Sequence, residues 1–378
     1  MPFLASPRQR RVHAVIALAA SAVGVAGTPA AAFAADPLAH PFTSVAFFGD
    51  SFLDAGNLYT LTRGYALGAF GFPPPPYDQG RFSSGPTWAE DFAALVGRPQ
   101  DARPSLLGGM NYASGGATTG TVNVSFRDPR LTNAVDAVRA AAGAPSIDWA
   151  ALAADGYGLQ NQTLAFAGAH PADNAGTLAV LLGGGNDFIN NLGPDPTATL
   201  TGAVTNMVGA ATILYGAGVR SFLVPSLPDL SLTPRGRTLP PAQAAGLSAL
   251  VGTYNRLLTS AFTEFAAGTG ATYFGLGLDT LFENILGAPG AYGFTDTTSP
   301  CLFTVVPCAA AVFADDIHPS GRTHQVIAQA AYDRVVRGAD VSPVPSPVPE
   351  PAPLALTVVG LGTLGAVAGA RAARRRAA

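Results

Sequence analysis

The sequence predicts an α/β domain built around a parallel sheet. Three observations point there. Apolar runs of strand length recur between longer helical stretches across residues 40–340. Strands that alternate with helices form parallel βαβ units, with helices covering both faces of the sheet. The polar, glycine-rich stretches follow directly on the apolar runs, where open α/β sheets collect their ligand sites. No internal repeat is visible, and residues 35–340 read as one domain.

The first strand is 45–48, inside the run TSVAFF at 43–48. Residues 111–113 form a short strand or the end of one, ahead of a glycine-rich turn. TLAVLL at 177–182 is a buried strand, VRSFLV at 219–224 another, and TYFG at 272–275 a fifth. Helices are expected over 86–95, 133–141, 159–167, 200–216, 242–267 and 322–337. The 44 glycines and 32 prolines imply many turns and loops.

Both ends read as processing signals. Residues 1–34 carry a basic start, an apolar stretch at 12–26 and a small-x-small pattern at Ala32-Phe33-Ala34, the marks of a secretory signal peptide cleaved after Ala34. Residues 341–353 are a proline-rich linker. Residues 354–370 carry no charge and approach the length of a membrane helix, and four arginines follow before the end at 378. Val348-Pro349-Glu350-Pro351, the apolar stretch and the arginine cluster together resemble a PEP-CTERM sorting signal. That resemblance implies export, partners in the export and sorting machinery, and membrane retention through the C-terminal helix before processing. The address would be the periplasmic face, the cell surface or the extracellular matrix of a Gram-negative bacterium.

Charge narrows the partners. All 21 basic residues are arginine, and seven of them lie in the two end segments. Residues 35–348 keep 14 arginines against 23 acids, a net charge of −9. An acidic body argues against nucleic acid, whose binding rests on neutralising phosphates. Cys301 and Cys308 lack a nearby histidine and make a poor zinc site. In an exported chain they read as a short-loop disulfide, the alternative being two buried thiols.

The chemistry-bearing residues lie just after strands. In FGDSFLDAGN (48–57), Ser51 stands where the first strand would emerge. Asp50 and Ser51 are also good helix caps, so the stretch alone leaves nucleophile and cap both open. It is not the Gly-x-Ser-x-Gly elbow of α/β-hydrolases. In FADDIHPSG (313–321), Asp315 and His318 lie three apart, so one turn can hold the carboxylate against Nδ1 and leave Nε2 for a serine from elsewhere. A cap beside a surface histidine fits the same spacing, and Asp316 is a rival acid. His324, inside the following helix, is expected on the surface, with His40 and His170 as bystanders. Oxyanion donors are offered by backbone N–H groups in NYASGGATT (111–119), around Gly116, and by the Asn186 side chain in LLGGGNDF (181–188).

Taken together, Gly-Asp-Ser, Gly-Gly-Ala, Gly-x-Asn-Asp and Asp-x-x-His occur in the order that resembles the GDSL/SGNH hydrolase family. YDQGRFSSGPTWAEDFA (77–93), VPSLPDLSLTP (224–234) and TYNRLL (253–258) extend the resemblance over residues 43–336. Phe52 stands where the family name carries leucine, a variable position. The resemblance implies a three-layer α/β/α sandwich, flavodoxin-like, with a five-stranded parallel sheet. It implies Ser51 as nucleophile, His318 as general base and then acid, and Asp315 as the acid that orients it. The oxyanion hole would be the Ser51 and Gly116 N–H groups with the Asn186 amide, with neither metal nor cofactor. The expected activity is that of a secreted serine esterase or lipase acting on lipid or acylated-carbohydrate esters. A polysaccharide O-deacetylase or an acyltransferase of the same family is the alternative. A non-catalytic matrix-binding protein on a hydrolase scaffold is the rival of another class. Residues 68–78 and 120–175 are expected to shape the substrate pocket.

Overall fold

The computed structural model describes residues 42–341. The leader at 1–34, the Pro-Glu-Pro motif, the apolar segment at 354–370 and the arginine tail lie outside the described residues. In chain order the elements are β1 (Ser44–Gly49), α1 (Asn57–Tyr65), α2 (Trp88–Leu95), α3 (Pro129–Ala141), α4 (Trp149–Asp155), α5 (Leu159–Ala169), β2 (Thr177–Leu182) and α6 (Gly185–Ile189). They continue with α7 (Pro196–Gly216), β3 (Ser221–Pro225), α8 (Pro241–Thr269), β4 (Thr272–Leu276), α9 (Leu278–Gly287), β5 (Asp296–Pro300), β6 (Ala311–Phe313) and α10 (Gly321–Val336).

Strands β1 to β4 form one parallel sheet in that order. Whereas the edge strand β4 is only partly covered, the apolar runs of β1 and β2 are buried on both faces, since Val45 to Phe48 and Leu178 to Leu181 expose nothing. Such strands cannot alternate, because neither face meets water. The expected fifth strand is reduced. Residues 110–114 run beside β1 and bond to it at three points, Phe47 N–H to the Met110 carbonyl, Tyr112 N–H to Phe47 and Ser114 N–H to Gly49. Only one bridge, Phe47 with Asn111, has strand pairing. The Asn111 side chain explains the irregularity, since it donates to the Leu53 carbonyl and accepts from Ala113 N–H, bending the chain toward the Ser51 turn.

The chain steps from β1 to one side, to 110–114, then back across β1 to β2, β3 and β4. With right-handed crossovers, that reversal puts the helices before and after it on opposite faces. Helix α2 accordingly packs on α10, while α5, α7 and α8 pack side by side. The result is three layers, α/β/α.

Helix starts differ from the sequence expectation where a proline opens the first turn. Helix α3 begins at Pro129 behind the cap Asp128, and α7 at Pro196 behind Asp195, whose side chain accepts from Thr197 and Ala198 N–H. Proline has no N–H to lose there and its φ already suits a helix. Strands β5 and β6 form a small parallel pair apart from the main sheet. The loop between them is closed by a Cys301–Cys308 disulfide, with the two Cα atoms 5.1 Å apart. Among the described residues one helix, α7, is long and apolar enough to cross a membrane by length and composition. Here α7 packs between α5 and α8.

Candidate active site

Three neighbouring strand ends build the site. Segment 110–114, β1 and β2 lie side by side, and their carboxyl ends lead to Gly116, Ser51 and Asn186. Gly49 and Leu182 are register partners, so the Ser51 and Asn186 turns leave the sheet together. Gly49 must be glycine, since a Cβ there would stand 2.2 Å from the Leu182 carbonyl oxygen. The Gln162 side chain, from α5, closes the end of β1: its oxygen accepts from Gly49 N–H at 2.7 Å and its amide donates to the Gly49 carbonyl at 2.8 Å.

Ser51 is 8% exposed, enough for its hydroxyl to face the cleft. Its Oγ lies 2.8 Å from His318 Nε2, and His318 Nδ1 lies 2.6 Å from Asp315 Oδ2. The two partners come from the far end of the chain. Strand β6 delivers the loop, and the Ala314 N–H to His318 carbonyl bond closes it into a turn. Within that turn Asp315 Oδ1 accepts the Ile317 and His318 N–H groups. One oxygen thus holds the loop and the other holds the imidazole. Asp316 points outward and is exposed, which leaves Asp315 as the acid in contact with His318.

Electrostatics follow from this arrangement. Burial pushes Asp315 up, but the His318 charge, two bonds from His318 and one from Tyr77 outweigh it and hold the carboxyl at about 2. Burial pulls His318 down, but the Asp315 charge and hydrogen bond, helped by Asp50 and Asp316, leave it above its ordinary value. Asp50 is driven up to about 6 by burial, against the Phe52 N–H bond and the His318 charge.

Donors gather on the opposite side of Ser51. Among the described residues neither the Ser51 nor the Gly116 N–H has an acceptor in the protein. Gly116 has φ +82°, and a Cβ there would strike Ser125 Oγ at 2.2 Å. That left-handed conformation is one glycine adopts without cost. The Asn186 amide donates to the Ala117 carbonyl at 3.1 Å and its oxygen accepts from Asn190, which fixes the side chain in the cleft wall. Asp187, pushed up by burial, accepts the Thr119 N–H and hydroxyl and locks the glycine-rich turn to β2's end.

Sequence reasoning missed several residues of this site. Tyr77 donates its hydroxyl to Asp315 Oδ2 at 2.6 Å, the same oxygen that receives His318. Asp54, pushed up to about 6 by burial, accepts four N–H groups, from Gly56, Asn57, Leu58 and Gly115, and so ties the Ser51 turn to the Gly116 turn. The Asn57 amide donates to the Asn111 and Ala113 carbonyls. The signal was present, because Asp54 and Asn57 complete the very stretch that carries Ser51. His324 corrects the sequence expectation of a surface histidine. It is fully buried, and its Nδ1 accepts the Trp88 N–H at 3.2 Å. Burial, helped by the His318 charge, holds it down at about 3, so it is neutral. Phe52 stands between the two imidazoles, 6.3 Å from His318 and 6.2 Å from His324.

The site opens into a cleft of about 760 Å³. Phe72, Pro74, Pro75, Tyr77, Phe82 and Phe303 form an apolar wall, while Arg127, Arg130 and Arg235 stand on the rim. The segments 68–78 and 120–175 both contribute, the second through Val124 to Arg130 and Ala134. Among the described residues no group of three His, Cys, Asp or Glu side chains converges as a metal site. Chemically, the arrangement offers a hydroxyl bonded to an imidazole, a carboxylate behind it, and N–H donors beside it, in an apolar cleft.

Comparison with known proteins agrees. Residues 45–331 match the family profile described as GDSL-like lipase/acylhydrolase. A phosphatidylcholine-sterol acyltransferase of Aeromonas hydrophila is 27% identical over 265 residues, covering 69% of this chain and 65% of that enzyme, just under two thirds of its length. A GDSL esterase/lipase of Arabidopsis thaliana is 26% identical over 327 residues, 75% of this chain and 83% of its own. An acetylesterase of Thermothelomyces thermophilus is 29% identical over 293 residues, 76% of this chain and 86% of its own. With a profile match that runs through every strand of the main sheet and the Ser51, Asn186 and His318 segments alike, this chain belongs to the GDSL-like lipase/acylhydrolase family and is a carboxylic ester hydrolase.

Proposed function

We propose that this chain is an exported serine esterase that works through an acyl-enzyme on Ser51. The observation that carries the reading is the continuous hydrogen-bonded line from Ser51 Oγ through His318 to Asp315, at 2.8 and 2.6 Å. In acylation, Ser51 Oγ attacks the ester carbonyl carbon while His318 Nε2 takes its proton. Asp315 holds the imidazole in the tautomer with the proton on Nδ1 and stabilises the imidazolium. The carbonyl oxygen, now an oxyanion, turns toward the Ser51 and Gly116 N–H groups and the Asn186 amide. Collapse expels the alcohol, which receives the proton from His318. Water then enters, gives a proton to His318 and attacks the acyl carbon; the second collapse breaks the bond to Ser51 Oγ, which takes that proton back from His318, and the acid leaves. Every proton passes through one imidazole, so the role needs neither metal nor cofactor.

The substrate is an apolar ester, lipid or acylated carbohydrate, as the aromatic and proline wall favours. The relatives' names span transfer to a sterol and removal of acetyl groups, so the same acyl-enzyme would serve transfer wherever an alcohol outcompetes water. The leader at 1–34 and the C-terminal sorting pattern support an address outside the cytoplasm, reached through export and sorting machinery.

The test is covalent. A fluorescent alkyl phosphonate, which reacts with activated serines, should label the full-length chain once, at Ser51, by peptide mass mapping. Labelling should vanish in Ser51→Ala and fall steeply in His318→Ala. An unlabelled wild-type chain, or labelling at another residue, would overturn the reading.

A further inference from the structure

The Asn186 side chain is one link in a line of hydrogen bonds along the cleft wall. Its amide donates to the Ala117 carbonyl at 3.1 Å. Its oxygen accepts the Asn190 amide at 2.9 Å. The Asn190 oxygen in turn accepts from the Arg235 guanidinium at 3.4 Å. Both ends force the direction of this line. A carbonyl only accepts and a guanidinium only donates, whereas a primary amide does both, through different atoms. With Ala117 at one end and Arg235 at the other, both amides must turn the same way. Turning either one alone would set oxygen against oxygen at one contact and N–H against N–H at the next. The line also reaches the loop of Asp315 and His318, because the Arg235 backbone N–H donates to the Asp316 carbonyl at 2.8 Å. The neighbouring Asn191 accepts from Arg127 at 2.8 Å, so the chain at 190–191 is held at two points. Asn190 and Arg235 are exposed, and changes at exposed positions usually cost the fold little.

We infer that Asn190 is a positioning residue for the hydrolysis, with Arg235 as its anchor. It holds the Asn186 oxygen away from the reacting carbonyl and leaves the second amide hydrogen of Asn186 for the oxyanion. The inference rests on the esterase reading and extends it to residues outside the triad and the oxyanion hole. Donation from Asn190 also polarises the Asn186 amide, and a polarised amide is the stronger donor. The line therefore acts when negative charge develops on the carbonyl oxygen. An effect confined to the transition state lowers kcat and leaves KM nearly unchanged.

Asn190→Asp gives the test. A carboxylate accepts and cannot donate. It would keep Arg235 and draw the Asn186 N–H groups toward itself, which turns the Asn186 oxygen to the oxyanion. In p-nitrophenyl butyrate hydrolysis by the full-length chain, Asn190→Asp should lower kcat about 10-fold or more, with KM held within about 2-fold. A charge acting through space would slow the reaction whatever stands at 186, so the substitution is repeated in Asn186→Ala. There it should change kcat by less than about 3-fold, because the amide it misdirects is gone. Arg235→Met removes the anchor and should lower kcat about 3-fold, again only while Asn186 is present. Equal losses in the two backgrounds, or wild-type kcat in Asn190→Asp, would overturn the inference. Wild-type kcat in Asn186→Ala would overturn it too, since Asn190 would then have nothing to position. Butylboronic acid, to which an active serine adds to give a tetrahedral adduct, reads the same donors without turnover. Its Kd should rise about 10-fold in Asn190→Asp, and an unchanged Kd would contradict the inference. Phosphonate labelling of Ser51 would survive any of these failures, whereas its absence would sink the esterase reading instead.

Discussion

At the scale of single residues, the account turns on His318 being neutral when it takes the Ser51 proton. Its pKa stands above 6.5, so kcat/KM should rise with pH and reach half its plateau above pH 6.5. Asp50 helps to hold that value up, so Asp50→Asn should move the midpoint down. A pH profile flat between 5 and 9 would contradict the base assignment. Tyr77→Phe removes a donor from Asp315 and leaves more charge facing the imidazole. The midpoint should then move up, and kcat/KM at neutral pH should fall by about 10-fold, as for a displaced positioning group. Loss of stability with an unmoved midpoint would make Tyr77 merely structural. Asn186→Ala should cost roughly 10²–10³ in kcat, the usual cost of one oxyanion donor. Turnover unchanged in that variant would remove Asn186 from the oxyanion hole. The residues on short local motifs were legible in the sequence: Asp315 and His318 share a turn, and Ser51, Gly116 and Asn186 each follow a strand. Tyr77 and Gln162 were not, because their partners stand 238 and 113 residues away, and Asp54, though it lies in the Ser51 stretch, gave no sign of its bond to Gly115, 61 residues on. Only folding reveals such pairs.

At the scale of elements, α10 gives both a correction and a prediction. Its buried positions include His324, Ile327, Ala328, Ala331, Tyr332 and Val335, one stripe at helical spacing. His324 lies within that stripe, so its burial against α2 was written in the periodicity and masked by its polarity. Buried neutral with a folded pKa of about 3, it binds no proton where the unfolded chain does. The stability it contributes is therefore complete above pH 6.5 and is lost as pH falls toward 3. The limit of that loss is roughly 5 kcal/mol. Asp315 acts in the same direction between its ordinary value and about 2. The raised carboxyls of Asp50 and Asp54 act the other way in this window, so the histidine is read by difference: between pH 7 and 4 the urea midpoint of the wild type should drop relative to that of His324→Gln. Parallel curves would contradict the buried neutral histidine. Elements with weak apolar patterns, such as β5 (Asp296–Pro300) and the five-residue α6, were not legible. Backbone bonding and the disulfide loop define them rather than hydrophobic periodicity. The long buried strands were legible, because a strand covered on both faces must be apolar throughout.

At the scale of the whole molecule, one sheet reversal explains why residues 51, 116, 186, 315 and 318 meet. Three adjacent carboxyl ends supply nucleophile and donors. The Cys301–Cys308 loop and β6 then bring the base and acid back over them from the end of the chain. Closing that short loop should contribute about 2–3 kcal/mol by restricting the unfolded chain. Reducing the disulfide should lower the melting temperature, and an unchanged melting curve would show that the loop is held by its packing alone. In the acidic body, at net −9 between residues 35 and 348, three of the 14 arginines, Arg127, Arg130 and Arg235, line the cleft, with Arg130 paired to Asp128. The central claim is that Ser51 performs acyl transfer to water. Its most direct measurement is steady-state hydrolysis of p-nitrophenyl butyrate by the wild type beside Ser51→Ala, the two folds matched by circular dichroism. The account predicts saturable turnover in the wild type, and a loss of about 10⁴–10⁶ in kcat on substitution. Equal rates from both proteins would contradict it.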